Sequence, residues 1–325
     1  MLSKTNGFNK GITGTAVVNA LAGAPEYTEI FTLSRSQKSP KHPKTKHATL
    51  DLRSSAHEMS KSLSHIPPVT HIYFCAYLAD PDEAEASRIN GSMLSNFLEA
   101  LTKSGQTQEL KRFSLTCGLK QYGVHQGQPK NPMREDDDDS LFWLEQDDHV
   151  IGFAKANFMN LATTLGLYCT VSKELEGSKL VFPGNKTNYL AFNNWTSARL
   201  HAEFCLWAGK TAEASNQRFN LVNGDTQSWP DLWPRLAARF GCREDRPEVK
   251  KAWETVRDRH GPDQTAWDGA TWGFLAFLLG RNYSCIASMS KARKLGWIGY
   301  ADTWDEFERT FKELEDAKML PRVAG

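Results

Sequence analysis

Long apolar runs are missing from this chain of 325 residues: no stretch approaches the roughly 18 consecutive apolar side chains of a membrane helix. The opening residues, Met1-Leu-Ser-Lys-Thr-Asn-Gly7, lack the apolar segment of a secretory leader, so a soluble, cytoplasmic protein is expected. Paired cysteines are missing too. Cys75, Cys117, Cys169, Cys205, Cys242 and Cys285 form no CxxC motif and have no histidine at zinc spacing, so no metal site and no disulfide framework is expected, only free thiols in a reducing compartment. Nor is there a surplus of charge: 39 Lys and Arg against 38 Asp and Glu leave a net charge of +1, and no global field draws the surface toward nucleic acid or anionic lipid. The partner implied is a small, apolar molecule. With 40% hydrophobic and 24% charged residues the composition excludes disordered and fibrous classes.

What the chain does have is aromatic bulk, 10 Trp and 17 Phe, which builds cores or lines pockets for bulky apolar ligands, core being the expectation here. In its first half short apolar runs alternate with helical patterns. Ile30–Leu33, Ala48–Leu52, His71–Ala76 and Phe113–Cys117 read as strands, and Ala16–Ala22 and Asp82–Leu101 as helices. This alternation predicts an α/β doubly wound parallel sheet. Beyond Asn157 the periodicity turns helical, over Phe158–Leu175, Ser197–Ala208, Trp229–Phe240 and Phe307–Lys318. The expected organisation is a nucleotide-binding region over 1–156 and a mainly helical substrate region over 157–325, fused into one body. Gln126–Asp139, with Glu135 followed by four aspartates, reads as a solvated loop.

Dinucleotide folds place a glycine turn at a helix N-terminus, where backbone N–H groups meet the pyrophosphate. Gly7, Gly11 and Gly14 supply three glycines, with the first gap one residue too long for the usual spacing. Arg35, closing the second apolar run, suits a ribose 2′-phosphate better than an acid would, so the reading leans to NADPH. Asp51 then falls near the adenine edge. Lys120 follows the run ending at Cys117, at the strand edge where ligands of open α/β sheets lie.

Several segments carry a resemblance. Gly11-Ile-Thr-Gly14-Thr-Ala, Ser34-Arg35, the helix with Asn90 and Met93-Leu94, Thr116-Cys-Gly118-Leu-Lys120-Gln-Tyr122-Gly123-Val-His125, Phe182-Pro-Gly184, Asn223-Gly-Asp225 and Gly299-Tyr300-Ala-Asp302 are similar to the progesterone 5β-reductase/iridoid synthase-like (PRISE-type) short-chain dehydrogenases/reductases, their fungal branch above all. The resemblance spans nearly the whole chain and implies a Rossmann-like fold. It implies NADPH delivering hydride to the β-carbon of an enone, and a lysine and a tyrosine steadying the enolate oxygen. Lys120 matches the lysine, and Tyr122 stands beside it. The same resemblance implies nucleotide contacts from Gly11, Ile12, Gly14, Ser34, Arg35, Asp51, Leu52 and Ala76, and substrate contacts from His125, Trp143, Phe153, Phe158 and Tyr300.

Two departures from the family pattern fall on its working parts. Met1–Asn6 cannot supply the five or six apolar residues of a buried first strand, so that strand reads as missing or much shortened. Between Pro132 and Phe158 the family's tyrosine helix reads as deleted, with Trp143 and Leu144 where tyrosines belong. Neither side chain offers a titratable hydroxyl. Three outcomes are therefore open: an NADPH-dependent enone reductase, a redox-neutral cyclase or isomerase on the same scaffold, or a binding protein. A homodimer covering the strand gap is a further expectation.

Overall fold

The structure is a computed structural model that describes residues 11–36, 42–78, 80, 82–137, 151–154, 161–175, 177–242, 264–268 and 270–323, of which 151–154, 264 and 265 are described by backbone alone. Helix α1 (Ile12–Gly23) starts at Gly11 and ends two residues before Pro25, as the glycine and proline signals predict. Strands β1 (Ile30–Ser34) and β2 (Thr45–Thr49) pair in parallel, Ile30 opposite Thr45 and Ser34 opposite Thr49. The second of these lies three residues earlier than its apolar run predicts. Asp51 explains the difference: its carboxylate accepts the Arg53 N–H at 3.0 Å, a local turn that takes the chain out of the ladder.

Helix α2 (Ala56–Leu63) is fixed at its start by a reciprocal pair in which Ser55 accepts the Glu58 N–H and Glu58 accepts the Ser55 N–H. Strand β3 (His71–Phe74), helix α3 (Glu83–Lys103), strand β4 (Arg112–Cys117) and strand β5 (Ile151–Ala154) follow. Helix α3 is capped by Asp82, which accepts from Ala84 N and Glu85 N. After α4 (Leu161–Glu174), the short α5 (Lys186–Leu190) and β6 (Phe192–Asn193), helix α6 (Ala198–Lys210) leads into β7 (Phe219–Asn220). The central sheet has the order β3-β4-β5-β7, all parallel, while β6 pairs antiparallel with β8 (Gln227–Ser228). Among the described residues no ladder joins the β1–β2 pair to β3. Val17 and Leu21 of α1, Ile30 of β1, Tyr73 of β3, and Ala202 and Cys205 of α6 form one buried cluster that packs β1 against β3.

On the other face, α2 and α3 cover the sheet through Met59, Leu63, Met93, Phe97 and Leu101 against Ile72, Phe74, Phe113 and Leu115. The second half buries its own core. Leu165 and Leu167 of α4 pack on Trp229, Trp233 and Phe240 of α7 (Trp229–Phe240) and on Phe311 and Leu314 of the helix Thr303–Asp316. The aromatic surplus is spent here, as rings in edge-to-face contact: Trp229 on Trp233 at 5.8 Å and Phe204 on Trp297 at 5.0 Å.

The Asn223-Gly-Asp225 motif ties the start of α6 to the start of the helix Thr303–Asp316. Asn223 accepts the Ser197 N–H at 2.7 Å and donates to Thr303 Oγ1 at 3.0 Å, while Asp225 accepts from Thr303 N at 2.9 Å and from its hydroxyl at 2.6 Å. Arg199 of α6 grips Glu306 of the last helix with two bonds, of 2.9 and 2.7 Å. Phe204→Ala should cost about 3–5 kcal/mol, the value for truncating a fully buried ring, while Leu190→Ala, at a side chain 56% exposed, should change little; urea unfolding of the two variants checks the contrast.

Candidate functional site

Strands β3 and β4 are parallel neighbours with Phe74 opposite Leu115, and Cys75 Sγ lies 3.5 Å from Thr116 Oγ1 just beyond. Parallel pairing sends both chains out at one carboxyl edge. Tyr77 follows β3 there, and Lys120 follows β4 on the 3-10 turn Leu119–Tyr122, which closes at Gly123 with φ 69°. The loop after β3 returns over this turn, because Glu83, first residue of α3, receives the Lys120 ammonium at 2.5 Å. The two side chains stay 38% and 44% exposed, so the pair is worth no more than about 1 kcal/mol, and the ammonium can leave it for a developing oxyanion.

Their charges reach two neighbours. The Tyr77 phenol is pushed up by burial, pulled down by Lys120 and pushed up again by Glu83, with a net rise. Burial lowers the His125 imidazole, Glu83 opposes that and Lys120 adds to it, so the ring is neutral at physiological pH. Cys117, pushed to about 12 by burial, is a neutral thiol and no nucleophile.

Tyr122 is placed differently. Its hydroxyl donates to Asn220 Oδ1 at 2.7 Å, and burial first of all holds the phenol well above its ordinary value. Asn220, fully buried in β7, donates its side-chain N–H to Met133 O at 3.0 Å and its backbone N–H to Glu135 Oε1 at 2.8 Å. With its one proton given to Asn220, Tyr122 holds the turn against β7. The acidic run read as a solvated loop thus begins with a buried acid: Glu135 is 7% exposed, and burial raises its carboxyl. The backbone N–H of Asn220 explains the difference, since a hydrogen bond from a buried donor favours drawing the carboxyl inside.

Of the nucleotide-side residues, Ser34 closes β1, Asp51 and Leu52 follow β2, Ala76 follows β3, and Gly11, Ile12 and Gly14 open α1. Gly11 caps α1 with no side-chain hydrogen bond and no acid stands in the first turn, whereas α2, α3 and α6 are capped by Ser55, Asp82 and Ser197. First-turn N–H groups left without a cap are a donor set for an anion. Gly14 and Ala76 are buried, and Ile12 lies at the surface. Ser34, also buried, donates to Ser36 O at 2.9 Å. Asp51 is not open toward an adenine: Arg53 holds its carboxylate through Nη2 at 3.2 Å and Nε at 3.4 Å, and burial, which raises this carboxyl, is outweighed by Arg53 and the charge of Arg35. Leu52 turns into the core under α2. Of this set, the first-turn N–H groups of α1 are the donors that would fit the phosphates of a dinucleotide.

Tyr300 belongs to neither group. It is 56% exposed and lies on Gly224, whose φ of +115° and lack of a Cβ the ring requires, since a Cβ there would meet Tyr300 Cδ2 at 2.7 Å. Trp143 and Phe158 lie outside the described residues, as do Gly7 and the stretch read as lacking a first strand; Phe153 is described only as backbone of β5. A surface cleft of about 450 Å³ lies between Lys186, Thr187, Leu190 and Ala191 on one side and Asn282, Tyr283 and Ser284 on the other. Tyr283 donates its hydroxyl to Val124 O, beside His125, which ties the cleft wall to the Lys120 turn.

A parallel sheet flanked by helices, with a lysine turn past the carboxyl end of β4 and an uncapped helix start in α1, is the arrangement of a Rossmann fold. The chain belongs to the PRISE-like Rossmann-fold family, whose model matches residues 9–139 and, separately, 135–259. An uncharacterized protein of Schizosaccharomyces pombe is 31% identical over 392 aligned positions, spanning 96% of each chain. That alignment is longer than this chain, so the relative carries residues within the matched span that are absent here. The 3-oxo-Delta(4,5)-steroid 5-beta-reductase of Arabidopsis thaliana is 27% identical over 310 positions, covering 82% of this chain and 79% of its own. Among solved structures, the Bordetella bronchiseptica enzyme WbmG, in complex with NAD and UDP, superposes with a TM-score of 0.65 at 15% identity, covering 98% and 96% of the two chains.

The raised Glu135 carboxyl has a consequence for stability. The folded chain holds this proton to higher pH than the unfolded chain, so the stability it lends is complete at acid pH and falls as pH rises through the raised value. Glu135→Gln keeps an acceptor for Asn220 and cannot ionise. Urea midpoints from about pH 4 to about pH 8 should show the variant gaining on the wild type as pH rises; parallel profiles would refute the assignment.

Proposed function

We propose that this chain is an NADPH-dependent short-chain reductase that carries out 1,4-reduction of an enone or enal in a bulky apolar specialised metabolite. The observation that carries the reading is Lys120, held half-exposed at the carboxyl edge of β4 by a pair weak enough to be exchanged for a substrate oxygen. When bound, the nicotinamide supplies the hydride. Hydride addition to the β-carbon would push the electron pair of the C=C bond toward the carbonyl oxygen, with a proton from solvent completing the α-carbon. The ammonium of Lys120 meets the oxygen as it becomes negative and stabilises that state more than the neutral enone. His125, neutral beside it, adds no competing charge. The first turn of α1 would hold the pyrophosphate, and Arg35, with Arg53 close by on Asp51, would face the 2′-phosphate and favour NADPH over NADH. The name of the Arabidopsis relative, a reductase of an enone steroid, supports the substrate class. The proposed partner is therefore a small apolar metabolite.

Calorimetric titration with NADPH should give micromolar binding, and Lys120→Met should lower kcat/KM on enones by about 10²–10³ with nucleotide affinity unchanged. Absent NADPH binding, together with cofactor-free conversion of an enone or polyene, would replace this reading with a redox-neutral one.

A further inference from the structure

We infer that the cleft between α5 and the 282–284 segment binds the carboxylate of an apolar acid, with Arg281 and Lys186 as its cationic partners. The inference goes beyond the reductase reading and stands on a different observation, a buried guanidinium that no acid neutralises. Arg281 is 8% exposed, and among the described residues it meets no carboxylate. Its Nη2 donates to Asn193 Oδ1 at 2.8 Å and its Nε to Leu278 O at 3.3 Å, while the ring centres of Phe277 and Tyr283 lie 6.0 and 5.7 Å from the guanidinium carbon. Amide oxygens and ring faces carry only partial negative charge. Cys285 adds none, because burial raises its thiol and keeps it protonated. Arg199 and Arg239 are treated differently by the same fold: Glu306 neutralises the first, and Glu308 with Glu315 the second. A charge held out of water without a counter-charge is strongly unfavourable, so the missing partner of Arg281 is one that a ligand supplies.

The cleft lies against this charge. Tyr283, whose ring the guanidinium overlies, lines one wall, and Lys186 stands on the other with no ion pair among the described residues. Asn185 fixes the two walls to each other, since from the start of α5 its side chain donates to Gly280 O at 3.0 Å and to Arg281 O at 3.1 Å. Two cations beside an aromatic wall give the cleft a positive field. Its rim is apolar: Leu190 is 56% exposed, and Phe192, two residues on, is 53% exposed. Apolar side chains left in water next to paired cations fit a molecule with an apolar body and an anionic end. The volume of about 450 Å³ suits a small metabolite. One guanidinium and one ammonium match the two oxygens and single charge of a carboxylate. A phosphate monoester brings further oxygens and a second charge, for which no further Lys or Arg lines the cleft.

The test is calorimetric titration of the full-length chain with octanoate, 1-octanol and octyl phosphate. Octanoate should bind about 10-fold or more tightly than 1-octanol, the effect of a charge-assisted hydrogen bond. Lys186→Gln, at an exposed position, should weaken octanoate by about threefold or more and leave 1-octanol unchanged. Asn193→Asp keeps the side chain's size and places a carboxylate where Arg281 already donates. It should lower octanoate affinity by about 10-fold or more, with 1-octanol binding retained as the sign of an intact fold. Lys120→Met should bind octanoate as the wild type does. The proposal is overturned by no measurable octanoate binding, by equal binding of octanoate and 1-octanol, or by tighter binding of octyl phosphate than of octanoate. It is equally overturned by Asn193→Asp or Lys186→Gln binding octanoate as the wild type does, or by a loss in Lys120→Met that puts the probe at the lysine turn. None of these probes carries an enone and no nucleotide is added, so failure here leaves the reductase reading standing, and absent NADPH binding leaves this site standing.

Discussion

The parallel pairing of β3 with β4 is the constraint on which the rest of the site depends. Because both strands run the same way, every loop that leaves their carboxyl ends leaves on one side, and each residue of register decides which side chains emerge together. The ladder is short, four residues against six, and yet it sets Cys75 beside Thr116, with Glu83 within reach of Lys120 just beyond. A slip of one residue would reverse the faces of Ile72 and Phe74, which pack under α3. The buried faces of the sheet therefore hold the chemical edge in register.

Stability and recognition are divided between helix ends. Ser55, Asp82, Ser197 and Asp302 satisfy the first turns of four helices, while α1 begins at a bare glycine. Leaving that start uncapped forgoes roughly 1 kcal/mol of local stabilisation. The packing of Val17 and Leu21 on β1, β3 and α6 offsets that loss, so the donor set is preserved by burial elsewhere along the same helix.

Much of this was legible in sequence because apolar period and strand-end chemistry report the same physics that builds the sheet. The strands at Ile30, His71 and Phe113, the stop of α1 at Pro25 and the position of Lys120 beyond Cys117 all follow from local pattern. Asp51, by contrast, ended a strand early through a turn to Arg53 that no apolar run reports. Glu135 looked like the first member of a solvated acidic run; its burial depends on a backbone N–H some 85 residues away, and such a partner leaves no local trace. Tyr122 stood next to the lysine and read as its aid, although Asn220 takes its proton from across the sheet. The aromatic count was read correctly as core, with Trp229, Trp233 and Phe311 in one cluster.

The tie between Glu135 and Asn220 also marks a seam. The two family matches meet at residues 135–139, and the S. pombe relative carries residues within the matched span that this chain lacks. At the start of that seam the chain is pinned to β7 by the buried Glu135 carboxyl, and Met133 is pinned by the side chain of the same asparagine. Whatever length of chain a relative interposes there departs from a fixed anchor. A chimera that restores a relative's segment after Asp137 would thus start from a position and direction already set by β7, leaving the lysine turn where it stands.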